Sequence, residues 1–83
     1  MAVRATGRVV RIYATRGHTY IRLDAGPKPQ DGYFRLDQTH SNYNALYSLA
    51  LSAAINRDRL QIRTSAEIVP TEYAAVAYMV VDW

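Results

Sequence analysis

Hydrophobic and polar positions alternate with a period of two over most of this chain, and switch to a helical period once. The switch lies in Thr39 to Asp58, THSNYNALYSLALSAAINRD. Leu46, Leu49, Ala50 and Ala53 fall at i, i+3, i+4 and i+7 and make one apolar stripe. Tyr43 and Tyr47 flank the stripe, and Leu51, Ala54 and Ile55 widen it. Alanine and leucine are strong helix formers. The pattern predicts a helix with Ser41 as its N-cap, ended by the polar run Asn56-Arg57-Asp58.

Before the helix the alternation predicts three strands. In Gly7 to Thr15, Val10, Ile12 and Ala14 point one way and Val9, Arg11 and Tyr13 the other. Arg16-Gly17 offers a tight turn with a positive φ at the glycine. In His18 to Asp24, Thr19, Ile21 and Leu23 form the apolar face, so the two strands make a hairpin. Ala25 to Asp31, AGPKPQD, is a loop. In Gly32 to Asp37, Phe34 and Leu36 point inward while Tyr33, Arg35 and Asp37 point out.

After the helix, Arg59 to Thr64 puts Leu60 and Ile62 inside. Ser65 to Glu72 is a loop in which Ile68-Val69 pairs briefly. Tyr73 to Asp82 is apolar on both faces, as for a strand covered twice. Three strands, a helix and two strands are the element order of an OB-fold. The expected fold is a mainly β single domain over residues 1–83, an OB-like five-stranded antiparallel barrel with the helix between strands 3 and 4. The runner-up is an open antiparallel sheet with the helix on one face, which leaves its edges exposed.

Composition narrows the chemistry. At 83 residues there is room for one domain with a modest core. Cysteine is absent, which removes disulfides, a thiol nucleophile and Cys-based metal sites. His18 and His40 do not make a metal site alone, and no cofactor or metal is expected. No apolar run is long enough to span a membrane. The opening MAVRATG carries no apolar signal core. That leaves the outside of the cell if a leader precedes Met1, and the cytoplasm otherwise.

The net charge is +3, and Lys28 is the only lysine among ten basic residues. Arginine favours bidentate and stacking contacts. Together with seven tyrosines it makes a composition typical of contact surfaces. Arg11, Tyr13, His18, Tyr20, Arg22, Tyr33 and Arg35 all point outward from the first three strands and make the candidate ligand face. Tyrosines there can stack on bases while arginines track phosphate. Equally, they can pack on a sugar while Arg, His18 or Asp24 bonds its hydroxyls or a carboxylate. The plain structural alternative is a solvated strand face with cross-strand Tyr–Arg packing. No serine or threonine has a His and acid partner by spacing, so no enzyme is expected. His40 reads as a capping-region residue rather than a ligand. The small residues Ala50, Ala53 and Ala54, with Trp83, are the candidate contacts of a homo-oligomer.

The pieces GYFRL, NYNAL with SLALSAA, RLQIRT and AAVAYMVVDW resemble a group of small bacterial proteins similar to the OB-fold B subunits of AB5 toxins of the subtilase-cytotoxin kind. They cover about the last two-thirds of the chain. The resemblance implies a ring-forming, glycan-binding subunit. The chain departs from it in lacking a cysteine pair. Three functions stand at this point: a glycan- or protein-binding subunit, a single-stranded nucleic-acid binder, and an oligomer whose assembly is its function.

Overall fold

A computed structural model describes residues 3–82; Trp83, and with it one candidate oligomer contact, lies outside the described residues. Five strands and one helix follow in the order β1 (Arg4–Ala14), β2 (His18–Leu23), β3 (Tyr33–Asp37), α1 (Tyr43–Asn56), β4 (Arg59–Thr64) and β5 (Ala74–Val81). A short 3-10 turn, Gln30–Gly32, leads into β3. The strands pair as β1-β2-β3-β5-β4, and β4 returns to pair with β1, so the sheet closes on itself.

Closure explains two departures from the expected pattern. A ring of five strands cannot alternate direction all the way round. One neighbouring pair must run parallel, and it is β3 with β5, over Phe34↔Ala74 and Arg35↔Ala75. The purely antiparallel sheet expected from the sequence is therefore corrected at that pair. The second departure is in β1, which serves two neighbours: Arg4–Arg8 pairs with β4 and Val9–Ala14 with β2. A bulge between Val9 and Arg11 lets it turn from one to the other. The extra residue flips the alternation. Val9 and Ile12 both pack toward the core, and Val10 is left 58% exposed, not inward as the period of two had placed it.

Ala14, grouped with Val10 and Ile12 by the period of two, is exposed at the strand end, and the inward positions of β2, β3 and β4 follow the alternation. Ile21, Leu23, Phe34, Leu36, Leu60 and Ile62 are each 2% exposed or less. Thr19 is also fully buried, and its hydroxyl is satisfied at 2.7 Å by the Tyr43 hydroxyl. The strand β5 is covered on one face only. Ala74, Val76 and Met79 are buried, with Ala77 as an extra residue at a second bulge. Its other face leaves Tyr78 50% exposed, so the expected double cover is absent among the described residues. Ile68 enters the core from the β4–β5 loop without forming a strand.

The helix seats Leu46, Ala50 and Ala53 on the sheet. Alanine at the last two positions lets the backbone come close. Ala50 and Ala53 are 0% and 1% exposed, so their side chains are covered by this chain's own core rather than offered to another subunit. Ala54 is half-buried. The apolar side chains the helix does expose are Leu51 and Ile55. The N-cap is Asn42, not Ser41, because Thr39–Ser41 is spent on a turn. Asn42 makes no side-chain cap. Its backbone N–H donates to His40 Nδ1 at 3.0 Å, and His40 Nε2 lies 2.9 Å from the Ala77 carbonyl. His40 thus ties the helix start to the β5 bulge, in keeping with its reading as a capping-region residue. At the other end Arg57 takes the left-handed conformation, and the Asp58 and Arg57 N–H groups close on Ala53 and Ala54.

Candidate functional site

The outward face of β1, β2 and β3 gathers the seven residues singled out in the sequence. Register places Arg11 opposite Arg22 and Tyr13 opposite Tyr20. It places Tyr20 opposite Arg35, Arg22 opposite Tyr33, and His18 opposite Asp37. All seven share one face because Ile21 and Phe34 between them face in.

The rings form a connected cluster. Tyr13 and Tyr20 stack at 4.9 Å with 24° between planes. Tyr33 meets Tyr13 edge-on at 5.2 Å. Offset and edge-on pairs are the favoured aromatic geometries. Tyr33, read as an outward residue, is only 8% exposed. It is a pedestal beneath the face rather than part of its surface. Arg11 Nη1 donates to the Tyr33 hydroxyl at 3.1 Å, and the Arg22 guanidinium lies 5.9 Å from the Tyr33 ring centroid. Gly32, at φ +82°, lets Arg22 lie there: a Cβ on it would sit 3.2 Å from Arg22 Nε.

Beside the rings stands a polar triplet. Asp37 Oδ1 lies 2.8 Å from both His18 Nδ1 and Arg35 Nε, and none of the three atoms makes a hydrogen bond elsewhere among the described residues. The His18 and Tyr20 rings meet at 6.1 Å. A His–Asp contact of this kind can orient a base. The neighbouring hydroxyl, Thr19, faces the core and is engaged with Tyr43. Among the described residues no group of three or more His, Cys, Asp or Glu side chains is placed to hold a metal ion.

One member of the face escaped the sequence reading, and the role of another was missed. Tyr73 precedes β5, and its ring lies 5.2 Å from Tyr20. Only the parallel β3–β5 pairing brings it there, and no local pattern announces that pairing. Asp37 was read as outward but not as the hub of His18 and Arg35. Its position two residues after Arg35 on the same strand face was the available signal. Asp24, a candidate hydroxyl partner, is used otherwise: its Oδ1 accepts the Arg8 backbone N–H at 2.8 Å. The turn before β2 also differs, since Gly17 is not among the positive-φ residues.

The electrostatics separate two of the tyrosines. The hydrogen bond from Arg11 lowers the Tyr33 pKa below its usual value of 10.0. Loss of hydration among the neighbouring rings raises that of Tyr13. The same bond to Tyr33 raises the Arg11 pKa. Linkage then works in opposite directions. Ionised Tyr33 contributes stability above the unfolded value, and that contribution is lost as pH falls through its lowered folded value. Neutral Tyr13 contributes below the unfolded value and loses that contribution as pH rises through its raised one. The two contributions oppose each other in alkaline stability, so site-specific NMR of ζ-13C-tyrosine is the measurement that separates them. Tyr33 is expected to titrate below 10 and Tyr13 above it. In Arg11→Met the Tyr33 transition is expected to move up; an unmoved transition would show that Arg11 does not hold the phenol.

The face is a platform, not a pocket. A hollow of about 500 Å³ lies elsewhere, lined by Leu49, Ser52, Ala53, Asn56, Asp58 and Val81 at the end of α1. Its lining has neither aromatic nor basic side chains. α1 is not long and apolar enough to cross a membrane. Compared with protein families, curated proteins and solved structures, the chain matches none, so its function rests on the geometry of this face.

Proposed function

We propose that this chain is a non-enzymatic binding module, an OB-like barrel whose tyrosine face takes a glycan. Supporting the fold reading are the closed five-strand order and the helix between β3 and β4. OB-folds take oligonucleotides and oligosaccharides on this side, around strands 2 and 3 and the adjoining loops. Tyr73, from the β4–β5 loop, joins the face at that place.

The observation that favours a sugar is where the arginines of this face go. Arg11 and Arg22 are turned onto Tyr33, and Arg35 is neutralised by Asp37. Arg11 and Arg22 keep their charge but are held against a ring, so they are less free to follow a phosphate chain. What remains is a stacked Tyr13–Tyr20 plate beside a hydrogen-bonding triplet, which suits an apolar sugar face with hydroxyls at its edge. The resemblance of α1 and β5 to toxin B subunits points the same way. Single contacts of this kind are weak, and a ring of copies raises avidity without new contacts. Val10, Leu51 and Ile55 are the exposed apolar side chains that such self-association would bury.

The test is a glycan array with the labelled protein, its mass first measured by light scattering, followed by titration of any hit. The expected result is selective binding that Tyr13→Ala weakens. A silent array, together with oligonucleotide binding that is lost in Tyr13→Ala, would replace this reading with the nucleic-acid one.

A further inference from the structure

The other half of the closed sheet carries a second basic surface of different design. On the outward side of β1 and β4, register sets Arg4 directly opposite Arg63 and Arg8 directly opposite Arg59. Ala5, Gly7, Leu60 and Ile62 between them are buried, so the four arginines point away from the core. Thr6 and Gln61 form a polar rung between the two charged ones. Like charges placed directly opposite destabilise a sheet. Among the described residues no carboxylate makes an ion pair with any of the four, in contrast to Arg35 on the tyrosine face. Among the described residues their one side-chain hydrogen bond runs from Arg8 Nε to the Arg57 carbonyl at 3.1 Å, which leaves the terminal nitrogens of Arg8 unspent.

We propose that this surface binds the sugar-phosphate chain of single-stranded nucleic acid. The two charged rungs lie four residues apart along the strands, about 13 Å at the usual rise, so the charge forms a track rather than a spot. The track is built of guanidinium forks, which match phosphate oxygens two at a time. On β5, Tyr78 stands opposite Arg63 and is 50% exposed, which places a ring for base stacking beside the track. The repulsion between the paired arginines is a cost in the free protein that a phosphate chain relieves.

The test is anisotropy of a fluorescein-labelled 12-residue oligothymidylate between 50 and 200 mM salt. With four phosphates neutralised the affinity is expected to fall roughly fiftyfold over that range. In the double variant Arg59→Gln with Arg63→Gln it is expected to fall only about sevenfold, from a weaker start. The double variant is expected to melt no lower than the wild type, because a repulsion has been removed. Arg59→Lys with Arg63→Lys is expected to keep the steep salt dependence, and Tyr20→Ala to leave the binding unchanged. If the glutamine pair fails to fold, Arg4→Gln with Arg8→Gln reads the same slope. Absence of binding at 50 mM, an unchanged slope in the glutamine variants, or loss of binding in Tyr20→Ala would each overturn the proposal. So would capture by phosphatidylserine vesicles without capture of the oligonucleotide, which would make the surface a membrane contact.

Discussion

Replacing Phe34 by alanine is expected to lower the stability of the fold by about 3–5 kcal/mol at 25 °C. A domain of 83 residues has roughly 4–12 kcal/mol of stability in total. Truncating a buried phenylalanine costs about 3–5 kcal/mol, part transfer and part cavity. Phe34 is 1% exposed and stands opposite Ile21 on β2 and Ala74 on β5. The β3–β5 contact has only two register pairs, and Phe34 belongs to one of them. The substitution therefore opens a cavity at the place where the sheet closes. Phe34→Leu keeps most of the apolar volume and is expected to fold with a smaller loss. Urea unfolding followed by circular dichroism measures both. An alanine variant within about 1 kcal/mol of the wild type would show that Phe34 is not a core residue.

Replacing Tyr20 by alanine is expected to affect binding more than any other single change on the tyrosine face. Tyr20 touches Tyr13, His18, Tyr33 and Tyr73, more rings than any neighbour meets. A tyrosine at the centre of a contact patch typically costs 2 kcal/mol or more on truncation, about thirtyfold in affinity. A residue read only as outward-facing is expected to leave the fold intact when it is removed. The ring cluster modifies this. Each aromatic pair is worth about 0.5–1.5 kcal/mol, so the loss of four pairs in Tyr20→Ala is expected to lower stability by about 2 kcal/mol or more. Tyr20→Phe keeps the rings and separates stacking from the hydroxyl. Titration of the array-selected glycan, with melting curves on the same samples, reads both effects. A folded Tyr20→Ala protein that binds the glycan as the wild type does would place the sugar elsewhere.

The two basic surfaces show why composition did not separate the candidate ligands. Nine of the ten basic residues are arginine, and sequence assigns Arg11, Arg22, Arg35, Arg59 and Arg63 to outward positions without saying what each meets. On β1–β3 they meet phenol rings and a carboxylate. On β1–β4 they stand opposite each other in the register. That difference depends on which strands become neighbours. Arg4 and Arg63, 59 positions apart in sequence, become partners only because β4 closes on β1.

Side-chain alternation by itself determined the inward faces of β2, β3 and β4, the presence and place of α1, and the shared outward side of the Arg and Tyr residues on β1, β2 and β3. These depend on a period of two or of 3.6 within a short segment, and burying one face of each segment enforces that period. The tertiary structure alone decided the rest. Closing five strands into a ring required one parallel pair, which carried Tyr73 to the face and set Phe34 at the closure. Turning β1 between two partners required a bulge, which left Val10 outside. Packing α1 against the closed sheet covered Ala50 and Ala53 and left Leu51 and Ile55 exposed. Each of these outcomes depends on contacts between residues far apart in the chain, which no local pattern records.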